Sequence, residues 1–347
     1  MAYGQLRTRS EAMADLIPLF KRQLSFCNLK PAERVAVITD TAFNPLYAAA
    51  AVAAALDLGA EAFEVVLPHR RSPSEPVLSK IFESSDLIVY STTHTLHYSP
   101  AMAAALASGK RALMAVIPLH ILERRIVEPD IIHRTKLGAA HLGAAHTVRI
   151  TSPAGTDLTL EKTGRPGVAS YGVADEPGHL DFWGAGFFQS SIVEGTADGV
   201  LVLNTGDLVF HLGLYVDRPV RLEFKKGRLV TVEGGVEAFL IRSLLESYKD
   251  PKAFNVGHIA CGTDPRALWV AEAVQFPVIG GGGVDAEAFY GNVQVEIGSN
   301  DDVVLRGRNR TRAHLGLCCL GCTLTLDGKP FLQDGEFVLE EMKRRRT

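Results

Sequence analysis

No stretch of the 347-residue chain is apolar for long enough to cross a bilayer. The longest run, Tyr47 to Leu58, is mostly alanine and meets a charge at Asp57, well short of the roughly 20 residues a spanning helix needs. The order of a secretory leader is missing as well, because Arg7, Arg9, Glu11 and Asp15 precede any apolar segment. Cysteine is scarce: five residues, an odd number, with three crowded at Cys318, Cys319 and Cys322. That usage fits a reducing compartment, so a soluble, cytoplasmic protein is expected. Charge of one sign is lacking too. A formal net charge of -3 gives no electrostatic reason to bind nucleic acid or an anionic membrane, and the basic run Lys343-Arg344-Arg345-Arg346 reads as a solvated terminus. Finally, the turn after the first strand, Thr39 to Asn44, contains no glycine, which argues against a phosphate-cradling loop and hence a nucleotide cofactor. The one dense glycine run, Gly280 to Gly283, lacks P-loop spacing and reads as a flexible loop.

What is present is a chain long enough for two cores. From Arg34 to about Ile150, short β-rich runs alternate with alanine-rich helical ones: VAVITD, EAFEVVLP, DLIVYSTT and RALMAVIP. Apolar residues on consecutive positions mark strands covered on both faces, so residues 1–150 are expected to form a Rossmann-like, doubly wound parallel sheet. Beyond residue 150 the pattern turns to alternating strands and turns. Thr151 to Gly164 and Arg218 to Gly234 read as hairpins around Gly155 and Gly227, followed by a helix from Val236 to Tyr248. Residues 151–347 are therefore expected to be an α+β domain.

Eleven histidines are spread along the chain with no HExxH among them, so position has to decide. His258 sits in the glycine-bracketed GHIACG; His314 opens an apolar strand. Each is a possible metal ligand or a hydrogen-bonded structural residue. His94 and His97 follow the strand LIVY, where a parallel sheet presents functional loops, and either suits a general base. The acidic turn with Asp175 and Glu176 precedes Asp181-Phe182-Trp183-Gly184; Glu176 and Trp183 are the candidates to orient a small aromatic ligand, against a plain surface turn. Cys319 and Cys322 have redox-pair spacing but lie in a strand pattern and read as core. Arg306, Arg308, Arg310 and Arg312 alternate at strand period, as an anion clamp or a solvated face.

Several stretches carry a family resemblance: YGVADEPG from Tyr171, His258-Ile259 with Gly262 and Pro265-Arg266-Ala267, Asp285-Ala286 with AFYGN from Ala288, His314-Leu315, and, in the first half, LHYSP from Leu96. Through them most of residues 165 to 335 resembles the 2,5-dihydroxypyridine 5,6-dioxygenases, ring-cleaving iron enzymes of nicotinate breakdown with an aminopeptidase-like fold. The resemblance implies a mononuclear non-haem Fe(II) on His258 and His314, with His97 as the base. The partners it implies are a hydroxylated N-heteroaromatic substrate and dioxygen, and a homo-oligomer is expected. It also implies an aspartate two residues after the second histidine, where this chain has Gly316. Glu237, Asp264, Glu296 and Cys318 are the candidate replacements; the alternatives are water or an anion in the gap, or no iron. Two other readings stay open. One is a metal-dependent hydrolase of the related leucyl aminopeptidases, whose two-metal cluster would fall where this chain has His258 and Gln294; the other is a non-catalytic small-molecule-binding homologue.

Overall fold

The structure is a computed structural model that describes residues 9–69, 74–94, 96–269, 284–301 and 304–344. The glycine run at 280–283 and Arg345 and Arg346 of the basic tail lie outside them. The chain divides into two compact units: the described residues within Met1–Val127 together with Gly172–Gly184, and the described residues within Glu128–Tyr171, Ala185–Phe276 and Gly283–Thr347. These differ from a division at residue 150 in two ways. The helix Pro129–Ala144 buries Ala139 and Leu142 in the core of the second unit, and the segment Gly172–Gly184 belongs to the first.

The first unit is doubly wound. Its five-stranded sheet runs, in spatial order, Glu61–Leu67, Arg34–Asp40, Leu87–Ser91, Arg111–Met114 and Leu180–Phe182, all parallel. Val35 to Ile38 and Leu87 to Tyr90 are buried at every position, as consecutive apolar runs require between helices on both faces. Asn44 caps the helix Pro45–Asp57 and Ser99 caps Pro100–Ala107, each with proline just inside. The fifth strand revises the reading of Asp181-Phe182-Trp183 as a turn. Leu180–Phe182 extends the sheet, and Trp183, 1% exposed, packs edge-on against Phe20 at 4.9 Å. Strand order reverses between Arg34–Asp40 and Leu87–Ser91, the switch point where such sheets leave a crevice. Here a carboxylate ties the crevice together: Asp40 accepts the N–H groups of Ala42, Phe43 and Thr93 and the Thr93 hydroxyl.

The second unit holds two antiparallel sheets on one core. One has eight strands, with Thr147–Thr151, Asp157–Glu161, Asp198–Leu203, Val220–Lys225 and Arg228–Glu233 consecutive in it; its hairpins turn at Gly155 and Gly227, both at positive φ. The other has seven, centred on Val256–Gly262, Val293–Gly298 and His314–Cys319. Alternation divides these three strands between two environments. Ile259, Cys261, Val293, Val295, Ile297, Leu315, Leu317 and Cys319 join the shared core with Ile150, Leu158 and Leu201 of the first sheet. The intervening residues face the other way. One expectation fails in this unit. Arg306 to Arg312 form no strand: Arg306 has φ 56°, the Arg308 N–H donates to Glu194, and Arg310 pairs with Asp301 at 2.8 Å, so the four arginines share no strand face. Of the basic tail, the described Lys343 and Arg344 are exposed, with Arg344 pairing with Glu336 and lying over the Tyr290 ring at 5.2 Å.

The Asp40 tie generates a test. Burial raises its carboxyl pKa, but the Thr93 hydroxyl and three backbone N–H groups outweigh burial and hold it below 3.8. Its stabilising contribution is therefore complete above pH 3.8 and lost as pH falls through the depressed folded value. Asp40→Ala is expected to cost about 3 kcal/mol at pH 7 in denaturant unfolding, with the difference from wild type shrinking as pH falls through the depressed folded value. A pH-independent difference would contradict the tie.

Candidate metal centre

The outward face of the three central strands carries the polar residues. Register puts His258 opposite Glu296, and Glu296 in turn opposite Gly316; His314 stands opposite Gly298, two positions along the same face. The result is an imidazole on each flanking strand and a carboxylate on the strand between them. One ligand atom each from His258, Glu296 and His314 lies within 4.8 Å of the other two, the spacing at which three side chains can share one ion. The His258 and His314 rings are 5.5 Å apart, and His314 Nε2 is 3.4 Å from Glu296 Oε2. His258 and Glu296 are buried, whereas the His314 side chain is 34% exposed, so the cluster opens on its His314 side.

Two further features shape it. His211, in the short 3-10 turn Phe210–Leu212, lies beside the His314 ring at 4.7 Å, and its Nδ1 accepts the Gly316 N–H at 3.0 Å. That hydrogen bond turns the Gly316 N–H away from the strand of Glu296. Glu296 and Gly316 thus form the narrow, non-hydrogen-bonded kind of antiparallel pair, in which facing side chains are closest. The Glu296 carboxylate fills the resulting space: a Cβ on Gly316 would meet its two oxygens at 2.7 and 2.9 Å.

Electrostatics prepare the donors. Burial, with a smaller push from His314, lowers His258 to about 4, and burial and His314 lower His211 to about 3, so both imidazoles are neutral at pH 7. Burial acts to raise Glu296, but its contact with His314 and the surrounding imidazoles outweigh it and bring the carboxyl to about 2. Glu287 goes the opposite way, pushed up to about 8 by burial and by the charge of Glu296. Of the other candidate ligands, Cys318 shares the face but burial keeps it a thiol; Glu237 accepts the Asp217 N–H, and Asp264 is engaged by Arg266. Neither carboxylate joins the cluster.

Comparison with known proteins now bears on this geometry. The family model of 2,5-dihydroxypyridine 5,6-dioxygenase matches residues 15–339. The chain belongs to that family. A 2,5-dihydroxypyridine 5,6-dioxygenase of Pseudomonas putida KT2440 is 31% identical over 350 residues, 96% of this chain and 99% of the relative. The solved structure of the 2,5-dihydroxypyridine dioxygenase from that organism superimposes with a TM-score of 0.88 at 29% identity, covering 97% of this chain and all of the other. AmpT of Thermus thermophilus shares the fold, with a TM-score of 0.64 at 13% identity over 94% of this chain and 99% of its own. Within the dioxygenase family frame, the sequence candidates divide between the units. His258 and His314 meet in the second. His97, Glu176 and Trp183 lie in the first: His97 is 3.4 Å from the Tyr90 hydroxyl and against the Tyr98 ring at 4.0 Å, Glu176 is exposed, and Trp183 is in the core. His211 and Glu287 gave no signal in the sequence. Glu296 did, since Gln294 and Glu296 alternate with valines in VQVEIG, the mark of a strand with a polar face.

If His211 serves to hold Gly316, then His211→Leu leaves a buried N–H without its acceptor. Metal-free protein carrying this change is expected to lose about 1–3 kcal/mol of stability in urea unfolding, and an unchanged midpoint would remove His211 from the support of the site.

Proposed function

We propose that this chain is a ring-cleaving dioxygenase acting on a hydroxylated N-heteroaromatic such as 2,5-dihydroxypyridine, with a mononuclear non-haem Fe(II) held through His258 and His314. Family membership supports the reaction class. The observation that carries the metal is a pair of buried acceptors, His258 Nδ1 and Glu296 Oε2, that have no hydrogen-bond partner among the described residues. Buried polar atoms in native proteins are nearly always paired, and two residues with such unpaired atoms, whose ligand atoms lie within 4.8 Å of each other and of His314, fit a cation. The His258 imidazole, neutral at pH 7, is ready to bind without first losing a proton.

Bound Fe(II) supplies the redox chemistry that lets dioxygen react with an electron-rich aromatic ring. The protein's share is binding, orientation and proton handling. His97 is assigned the role of general base toward a substrate hydroxyl, a role that imidazole chemistry suits. Its ring is steadied by Tyr90 and Tyr98. Glu176 and Trp183 are assigned to substrate orientation, Glu176 from an exposed loop position and Trp183 as the packed residue that anchors the segment. A cytoplasmic location suits a catabolic role, and no described helix is long and apolar enough to cross a membrane.

The test is oxygen uptake by Fe(II)-loaded protein given 2,5-dihydroxypyridine. Dioxygen and substrate are expected to disappear together, no turnover is expected anaerobically, and His258→Ala should abolish both. His97→Gln should lower kcat by roughly 100-fold or more with iron content unchanged. Undiminished substrate loss without oxygen would point instead to a hydrolase on the aminopeptidase-like fold.

A further inference from the structure

We infer that Glu296 is the third, anionic ligand of this metal centre and that position 316 is glycine in order to admit it. The inference rests on the reading of the cluster as a metal site, and four observations carry it.

The first is register. Glu296 lies on the strand between the two histidine strands, paired directly with His258 on one side and Gly316 on the other. From that position the Glu296 side chain comes within 4.8 Å of ligand atoms of both imidazoles. The second is the unspent oxygen. Glu296 is 2% exposed, its Oε2 makes no hydrogen bond among the described residues, and the nearest imidazole nitrogen stands at 3.4 Å. A buried carboxylate oxygen left in that condition is costly, and a divalent cation bound between it and the imidazoles offsets the cost.

The third observation concerns the glycine. Gly316 is not among the residues at positive φ, so its backbone would accept any amino acid. Space is what demands glycine: the 2.7 and 2.9 Å approaches to the Glu296 oxygens mean that even alanine would displace the carboxylate. The fourth is ligand type. Two imidazoles and one carboxylate on one side of an ion form the set that leaves positions open for substrate and dioxygen, and the partly exposed His314 leaves the cluster open to solvent. Residues 296 and 316 are thus two halves of one choice. The carboxylate reaches the ion from the middle strand only if the neighbouring strand gives up its side chain, and a short acid at 316 would serve only if 296 were cut back.

The experiment is anaerobic titration of metal-free protein with Fe(II), for wild type, Glu296→Gln, Gly316→Ala, Gly316→Asp and the double variant Glu296→Gly/Gly316→Asp, with the thermal midpoint recorded with and without metal. Wild type should bind one equivalent and gain thermal stability from it. Glu296→Gln keeps the shape, so without metal it should melt at or above the wild-type midpoint, while its Fe(II) affinity falls roughly 100-fold and its metal-induced rise disappears. Gly316→Ala and Gly316→Asp should each weaken binding as well. The double variant should recover affinity to within about 10-fold of wild type, because the carboxylate returns from the adjacent strand. Wild-type affinity in Glu296→Gln, together with a normal midpoint, would overturn the ligand assignment alone. Failure of wild type itself to bind Fe(II) would overturn the assignment together with the metal-centre reading beneath it.

Discussion

A buried carboxylate wedged between two imidazoles is the interaction on which the rest of this site depends. Glu296 cannot occupy its place without the bare backbone of Gly316, and the close approach of that backbone depends on the non-hydrogen-bonded pairing that the Gly316 bond to His211 reveals. The alternation that sends Val293, Val295 and Ile297 into the core is what sends Gln294 and Glu296 out to the opposite face. Core packing thereby fixes the direction of the acid, since a one-residue slip of the middle strand would put Glu296 into the apolar interior and a valine into the site. The low pKa of Glu296 and the raised pKa of Glu287 are two sides of the same arrangement: imidazoles surround one acid, and the other feels chiefly burial and its charged neighbour.

Much of this architecture is legible in the sequence because its causes are local. Consecutive apolar runs identify the parallel strands, Gly155 and Gly227 mark the hairpins, and Val236 to Ser247 forms the helix its pattern announces. What resists reading depends on partners distant in the chain. Leu180–Phe182 is three residues long and becomes a strand only through Arg111–Met114, so the sequence around it reads as a turn. The arginines from 306 to 312 have strand periodicity, yet Asn300 and Asn309 claim the backbone groups that a ladder would need, and the segment runs as irregular chain.

The site divides along the same line. By their settings His258 and His314 are each ligand or structural residue alike, and only the family resemblance singles them out, whereas the carboxylate between them is one of several acids until the register between strands is known. Gly316, read by itself, looks like a lost ligand. Beside Glu296 it is the space that the carboxylate fills, and on the proposal above the charge comes from the middle strand. His211 was beyond reach of the sequence altogether, since its role is a bond to a backbone N–H more than a hundred residues away.

The most direct measurement of the central claim is an anomalous difference map at the iron edge from crystals of the Fe(II)-loaded protein. A single peak is expected within bonding distance of one nitrogen of His258, one nitrogen of His314 and one oxygen of Glu296. A peak bound elsewhere, or one held by the two imidazoles with the Glu296 carboxylate turned away, would contradict it.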